Sequence, residues 1–130
     1  MCGIFACFKN NSLIYDFEKF KKDNFLLNHR GPDDSGVEYF SINQNTIFLW
    51  HNRLTIQDIS KNGSQPMSSF TKRYKIIFNG EIYNHNELRR IIDKKIRINW
   101  KSTSDTETLI NLFEIYNNDL LKFFNLLEGQ

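Results

Sequence analysis

The sequence has few cysteines, few prolines and almost no excess of charge of either sign. Its two cysteines, Cys2 and Cys7, lie too close together to form the disulfide framework of a secreted domain. A net charge of +2 is too small to indicate binding to nucleic acid or to a membrane. No apolar run is long enough to cross a bilayer, and the amino terminus lacks a signal-peptide pattern. We therefore expect a cytoplasmic protein with neither nucleic-acid nor membrane partners.

The remaining composition is that of a globular domain. Hydrophobic residues make up 40% and charged residues 25%, which are ordinary values, and 130 residues predict a single domain, 1–130. Strand patterns occur at 3–8 (expected to be buried), 37–42, 46–50 and 74–78, and more weakly at 97–100. Helical patterns occur at 16–28, after Asn84 or Asn86, after Ser104 and at 120–127, with loops at 30–36 and 57–73. This mixture favours an α+β fold with a largely antiparallel sheet.

Cys2 directly follows the initiator Met, and this position allows a particular chemistry. Cysteine is small enough for the Met to be removed, which would leave a free α-amine on the residue that carries the thiol. An α-amine has a reference pKa of about 8, so it is partly unprotonated near neutral pH and can accept the thiol proton. The alternative is a small core residue near a flexible end. For Cys7 we expect a buried, inert thiol.

The segment Asn79-Gly80-Glu81 follows an apolar strand pattern and has two interpretations. Asn-Gly is the strongest short turn signal, so a simple turn would account for it. A Gly backbone N–H and an Asn side-chain amide are also two donors that can approach a ligand closely. They could form an oxyanion hole for an acyl-transfer intermediate.

Two charged residues have similar alternatives. Arg53 could be a solvated surface charge or a bidentate clamp on a carboxylate. Asp105, in a capping-box pattern that begins at Ser104, could stabilise the start of a helix or contact an ammonium group. His51 is expected to be a structural histidine with satisfied ring nitrogens. The loop 30–36 could close over a substrate or form a turn, and no metal is expected because the His and Cys residues lack metal-site spacing.

Taken together, these segments resemble the N-terminal glutaminase domain of class II (N-terminal nucleophile) glutamine amidotransferases, of the asparagine synthetase type. The matching segments are 1–5 (MCGIF), 29–33 (HRGPD), 51–56 (HNRLTI), 65–67 (QPM), 78–84 (FNGEIYN) and 104–107 (SDTE). They cover essentially the whole chain in order. The resemblance implies an α+β four-layer α/β/β/α sandwich of the N-terminal nucleophile hydrolase type, with mainly antiparallel sheets.

The resemblance also implies a role for individual residues. Cys2 would be the nucleophile with its own α-amine as the base, and Asn79 and Gly80 would form the oxyanion hole. Arg53 would hold the α-carboxylate of glutamine, and acidic groups would lie near its α-ammonium. The implied glutamine-binding set is Arg53, Leu54, Thr55, Ile56, Gln57, Asn79, Gly80, Glu81 and Asp105.

The sequence departs from the family pattern in two respects. Nothing in it resembles the Ser-Gly-Gly-x-Asp-Ser loop of the family's ATP-using second domain. No cofactor is therefore expected in this domain, ATP and Mg belong to the absent synthetase domain, and the chain alone is not expected to make asparagine. Relatives continue into a strand after Glu128-Gly129, so we expect a C-terminally truncated domain with an unpaired sheet edge.

Two functions follow from these observations. The first is glutamine hydrolysis releasing ammonia, as the amidotransferase part of an asparagine synthetase-like enzyme. The second is an inactive remnant or interaction module of that family. The expected partners are glutamine and a separate or downstream synthetase domain.

Overall fold

The computed structural model of the chain describes residues 2–10 and 25–130, and their contacts divide them into two compact units. The first unit lies within Met1–Thr55, Ser64–Pro66 and Ile77–Asn79. The second unit consists of Ile56–Gly63, Met67–Ile76 and Gly80–Gln130.

The first unit is built on a three-stranded antiparallel sheet. Its strands are β1 (Gly3–Asn10), β2 (Asp34–Ile42) and β3 (Asn45–Arg53), in the spatial order β1-β3-β2. The predicted β2–β3 hairpin is confirmed, and its turn contains Asn43 at a φ of 55°, a conformation that Asn tolerates better than most residues. A 3-10 helix (Phe25–Arg30) precedes β2. Of the helix predicted at 16–28, the residues 16–24 lie outside the described part of the chain.

Two predictions about this unit need correction. The strand predicted at 3–8 exists, but it is not buried, since Phe8 is 67% exposed and Ile4 is 46% exposed. The buried residues of this sheet are instead concentrated on the central strand β3. The loop predicted at 30–36 is shorter, because β2 already begins at Asp34. Gly36 belongs to β2, and a Cβ there would lie 1.9 Å from the Gln65 carbonyl oxygen.

The second unit combines three helices with a short strand pair. The helices are α1 (His85–Lys95), α2 (Asp105–Tyr116) and α3 (Leu120–Asn125). The strands β4 (Met67–Ser68) and β5 (Lys75–Ile76) pair antiparallel, and Lys61–Gly63 forms a 3-10 helix.

The sequence overestimated the strands of this unit. The strand predicted at 74–78 is reduced to two residues, and 97–100 is not a strand although Ile98 is buried. The loop predicted at 57–73 contains a 3-10 helix and β4. Burial of single apolar residues in irregular backbone accounts for the difference, since apolar patterns cannot distinguish such segments from strands.

The core of the second unit lies between its helices. Leu88 and Ile92 on α1 and Leu112 on α2 are fully buried. The ring of Phe113 on α2 makes edge-to-face contacts with Phe123 on α3 and with Tyr74. Such aromatic pairs add stability beyond the apolar area they bury.

The helix starts show which capping predictions hold. Ser104 caps α2 as predicted, with its side chain accepting from the Thr106 N–H over 3.2 Å. Asn84 precedes α1 but makes no capping bond. Its side chain instead donates to the Leu126 carbonyl and accepts from the Glu128 N–H.

The last three residues bond to the backbone before α1. Glu81 and Gln130 exchange two backbone hydrogen bonds of 3.0 Å, and Tyr83 N–H donates to the Glu128 carbonyl over 2.7 Å. Ile82 and Gly129 form an antiparallel bridge. Residues 81–83 therefore have a backbone partner over this short length, and the expected truncation stays a prediction.

The fold class is thus partly confirmed. The chain is α+β, and both of its described sheets are antiparallel. The four-layer sandwich and the assignment of 1–130 to one domain stay predictions.

Candidate active site

The thiol of Cys2 lies against the backbone that follows β3. Because Gly3 pairs with Asn52, the residue before β1 comes next to the residues after β3. The Leu54 N–H donates to Cys2 Sγ over 3.4 Å, and the Cys2 thiol donates to the Leu54 carbonyl oxygen over 3.7 Å. The structure therefore brings together the predicted nucleophile and the predicted pocket backbone.

Arg53, the predicted carboxylate clamp, is the last residue of β3 and is buried. Its ladder partner is Asp34 at the start of β2. The preceding Asn52 accepts a side-chain hydrogen bond from Trp50 and donates one to Asn28. A buried guanidinium is unusual for a surface charge, so this burial argues against the solvated alternative.

Asn79 and Gly80 lie in irregular backbone after β5. The preceding Phe78 N–H donates to the Gln65 side chain over 2.6 Å. Neither Asn79 nor Gly80 has a positive φ, which the tight turns favoured by Asn-Gly require. The hairpin turn with positive φ that Asn-Gly favours is therefore absent, although Gly80 lies in a bend of the chain.

The acidic residues of the predicted site come together in the second unit. Asp105 is the first residue of α2, and its buried carboxylate accepts from the Ile82 N–H over 2.9 Å. Glu81, which precedes Ile82, accepts from the Gln57 side chain over 3.0 Å. Gln57, Glu81 and Asp105 were all predicted to bind glutamine. These two hydrogen bonds and the Glu81–Ile82 peptide bond connect them.

A network that the sequence did not reveal supports Asp105. Arg89 donates three hydrogen bonds of 2.8 Å, to the carbonyls of Ser102 and Ser104 and to the Thr108 hydroxyl. Burial lowers the pKa of Arg89. Glu107 accepts from both the N–H and the hydroxyl of Ser102 over 2.8 Å, so it holds the loop before α2 instead of completing the capping box. The only sequence signal for this network was the capping-box spacing of 104–107. That spacing predicted that Glu107 would bond to the backbone N–H of Ser104, not to Ser102.

The predicted site residues are divided between the two units. Those of the first unit are Cys2, Arg53, Leu54, Thr55 and Asn79. Those of the second unit are Ile56, Gln57, Gly80, Glu81 and Asp105.

His51 differs from the structural histidine that the sequence predicted. It is almost fully buried, and the Phe78 backbone lies near its ring nitrogens. Among residues 2–10 and 25–130, neither ring nitrogen forms a well-aligned hydrogen bond with this backbone or with another group. Burial lowers the pKa of His51 to about 4. After burial, the largest influence is the Phe78 backbone, which raises this pKa. The Arg53 guanidinium lowers the pKa further, and the Asp34 carboxylate raises it. The imidazole is therefore neutral at physiological pH.

We expect this histidine to destabilise the fold in acid. Because its pKa is lower in the folded chain than the ordinary 6.5, the unfolded chain binds more protons between pH 6.5 and about 4. The free energy of unfolding should fall over that interval by up to about 3 kcal/mol from this group. Urea unfolding between pH 7 and 4 measures the effect, and His51→Gln should have a smaller decrease. An identical pH dependence in the two proteins would contradict the expectation.

Two further features concern metals and membranes. Residues 2–10 and 25–130 contain no cluster of three or more His, Cys, Asp or Glu side chains able to hold a metal ion. In the same part of the chain, no helix has the length and apolar character needed to cross a membrane.

Comparison with known proteins identifies the family. Residues 1–127 match the family described as "Glutamine amidotransferase domain". This match covers nearly all of the chain, and the chain belongs to that family.

Its relatives include glutamine-hydrolysing asparagine synthetases. The chain is 36% identical to asparagine synthetase [glutamine-hydrolyzing] 1 of Bacillus subtilis, over 92% of the chain and 18% of the relative. It is 34% identical to asparagine synthetase [glutamine-hydrolyzing] 1 of Saccharomyces cerevisiae, over 96% of the chain and 20% of the relative. It is 37% identical to the asparagine synthetase [glutamine-hydrolyzing] of Asparagus officinalis, over 99% of the chain and 20% of the relative. The chain spans about a fifth of the length of these relatives.

Proposed function

We propose that this chain hydrolyses the side-chain amide of glutamine to glutamate and ammonia, with Cys2 as the nucleophile. The observation that carries the proposal is the position of the thiol. Its sulfur lies 3.4 Å from the backbone N–H of Leu54, directly after the buried cation Arg53. The proposed nucleophile thus contacts the residue that directly follows the proposed carboxylate-binding group.

The proposed reaction proceeds through a thioester. After removal of Met1, the free α-amine of Cys2 takes the thiol proton, and the thiolate attacks the amide carbon of glutamine. The C–N bond breaks, the ammonium proton of Cys2 passes to the leaving nitrogen, and ammonia departs. Water, deprotonated by the same amine, then attacks the γ-glutamyl thioester, which releases glutamate and restores the thiol.

Asn79 and Gly80 supply the proposed oxyanion hole. The side-chain amide of Asn79 and the backbone N–H of Gly80 would donate to the oxygen that becomes negative during the attack. This role fits irregular backbone at these two residues, which lie outside any helix or strand.

The proposed recognition of glutamine uses opposite charges at its two α-substituents. Arg53 binds the α-carboxylate, and the backbone of residues 54–57 lines the pocket. Glu81 and Asp105 contact the α-ammonium. Clamps of both signs select a free amino acid over a glutamine residue within a peptide, whose backbone carries neither charge.

The wider assignments follow from the relatives. The ammonia would serve an asparagine synthetase-like reaction, with ATP and Mg used in a separate or downstream synthetase domain and no cofactor in this one. The proposed fold is the four-layer α/β/β/α sandwich of N-terminal nucleophile hydrolases, with 1–130 as one domain. A cytoplasmic location and the absence of nucleic-acid and membrane partners belong to the same proposal.

Covalent labelling tests the proposed nucleophile. In the protein that has lost Met1, a glutamine analogue with a chloroketone in place of the amide should alkylate Cys2. Free glutamine should protect Cys2 from this alkylation. Cys7 serves as the internal control, since it lies within β1 and has no proposed role; it is half-buried, not buried as the sequence predicted. Peptide mass spectrometry that finds Met1 retained, or label only on Cys7, would contradict the mechanism and favour an inactive remnant or interaction module.

A further inference from the structure

The loop 30–33 contacts the backbone on both sides of Leu54. Asp33 N–H donates to the Arg53 carbonyl over 3.0 Å, and its Oδ2 accepts from the Thr55 N–H over 2.7 Å. Gly31 lies so close that a Cβ there would be 2.2 Å from the Asn52 carbonyl oxygen. This loop therefore holds the residues that follow β3.

The need for such a support follows from where β3 ends. Arg53 is still paired with Asp34 in the ladder, whereas Leu54 and Thr55 lie beyond it. A side-chain acceptor on the Thr55 N–H therefore replaces the missing strand partner. This bond fixes the peptide that presents the Leu54 N–H to the thiol.

We propose that the Leu54 N–H stabilises the Cys2 thiolate and that Asp33 is the positioning residue that keeps this donor in place. The inference rests on the proposed function and adds two groups to it. A backbone N–H that donates to the sulfur fixes its position and stabilises the negative charge on it during the attack. The 3.4 Å contact places this donor directly at the sulfur.

Of the two interpretations of the loop 30–36, this role favours the one without closure. Asp33 is bonded to the backbone at both Arg53 and Thr55, as expected for an anchor of the residues that follow β3.

The proposal predicts a separation between kcat and KM for Asp33→Ala. Arg53 keeps its ladder partner in this variant, so binding of the glutamine carboxylate is largely retained. Leu54 loses its support, so the thiolate loses a positioned donor. We expect kcat for glutamine to fall roughly tenfold to a hundredfold, with KM changed by less than about threefold.

Three variants and two measurements test this. Asp33→Asn keeps a side-chain oxygen that can accept from Thr55 and should recover much of kcat. Glu38→Gln removes a carboxylate from β2 opposite Leu49 and is the matched control, with kcat unchanged. Iodoacetamide alkylation at constant pH, followed at each cysteine by mass spectrometry, reports the reactivity of the sulfur without glutamine. In Asp33→Ala the rate at Cys2 should fall roughly fivefold or more, and the rate at Cys7 should not rise.

The outcomes distinguish this inference from the proposed function. If unsubstituted chain neither hydrolyses glutamine nor takes the chloroketone at Cys2, the proposed function fails. If unsubstituted chain is active and Asp33→Ala has the same kcat, or alkylates faster at Cys2, the positioning role is wrong. If Asp33→Ala alkylates faster at Cys7, its β1 strand has become more exposed, and Asp33→Asn then decides. Full activity of Asp33→Asn supports the acceptor role, and activity as low as that of Asp33→Ala overturns it.

Discussion

Cys2→Ala is expected to abolish the release of ammonia from glutamine. The substitution removes the only group proposed to form a bond with the substrate, so kcat should fall by at least about a thousandfold. The expected loss is in kcat, because Arg53 and the acidic residues that are proposed to bind glutamine are unchanged. Ammonia release under saturating glutamine measures it directly.

Cys7→Ala is the matched control for this variant. It removes a second thiol, at a position of β1 that pairs with Phe48 in the middle of the ladder. Hydrolysis by Cys7→Ala should match that of the unsubstituted chain. Equal activities in the two alanine variants would exclude Cys2 as the nucleophile.

Arg53→Ala is expected to raise KM for glutamine by about a hundredfold, which corresponds to about 2.7 kcal/mol for a lost buried charge pair. The α-carboxylate lies several bonds away from the scissile amide, so kcat should change far less. The measurement is the dependence of the initial rate on glutamine concentration.

Two controls separate recognition from stability. Arg73→Ala removes an exposed guanidinium beside Tyr74 and should leave KM unchanged. An analogue of glutamine that lacks the α-carboxylate should be hydrolysed equally poorly by Arg53→Ala and by the unsubstituted chain. If Arg53→Ala prefers glutamine over this analogue as strongly as the unsubstituted chain does, Arg53 does not bind the carboxylate.

Local patterns accounted for the elements in which neighbouring residues alone set the structure. The β2–β3 hairpin formed where β-rich segments flank three polar residues, and α2 began at Ser104 because a hydroxyl can cap the next turn. The family could also be predicted, because short motifs at fixed spacing occur together in order.

Other predictions failed where a distant residue competes for the same polar group. Asn84 could cap α1, but its side chain bonds instead to Leu126 and Glu128, more than forty residues along the chain. Glu107 could complete a capping box, but the N–H and hydroxyl of Ser102 take its carboxylate. Capping propensity is a preference of about 1 kcal/mol, so a tertiary partner readily replaces it.

The sequence by itself determined the family, the residue types proposed for the chemistry and the position of Cys2 directly after Met1. The tertiary structure decided how these residues are held. It buried Arg53 at the end of β3, aimed the Leu54 N–H at the Cys2 sulfur and showed Asp33 bonded to Thr55. The physical reason is that the two hydrogen bonds join residues about twenty or more positions apart, and that burial depends on the whole fold. The spacing of neighbouring residues predicts neither of them.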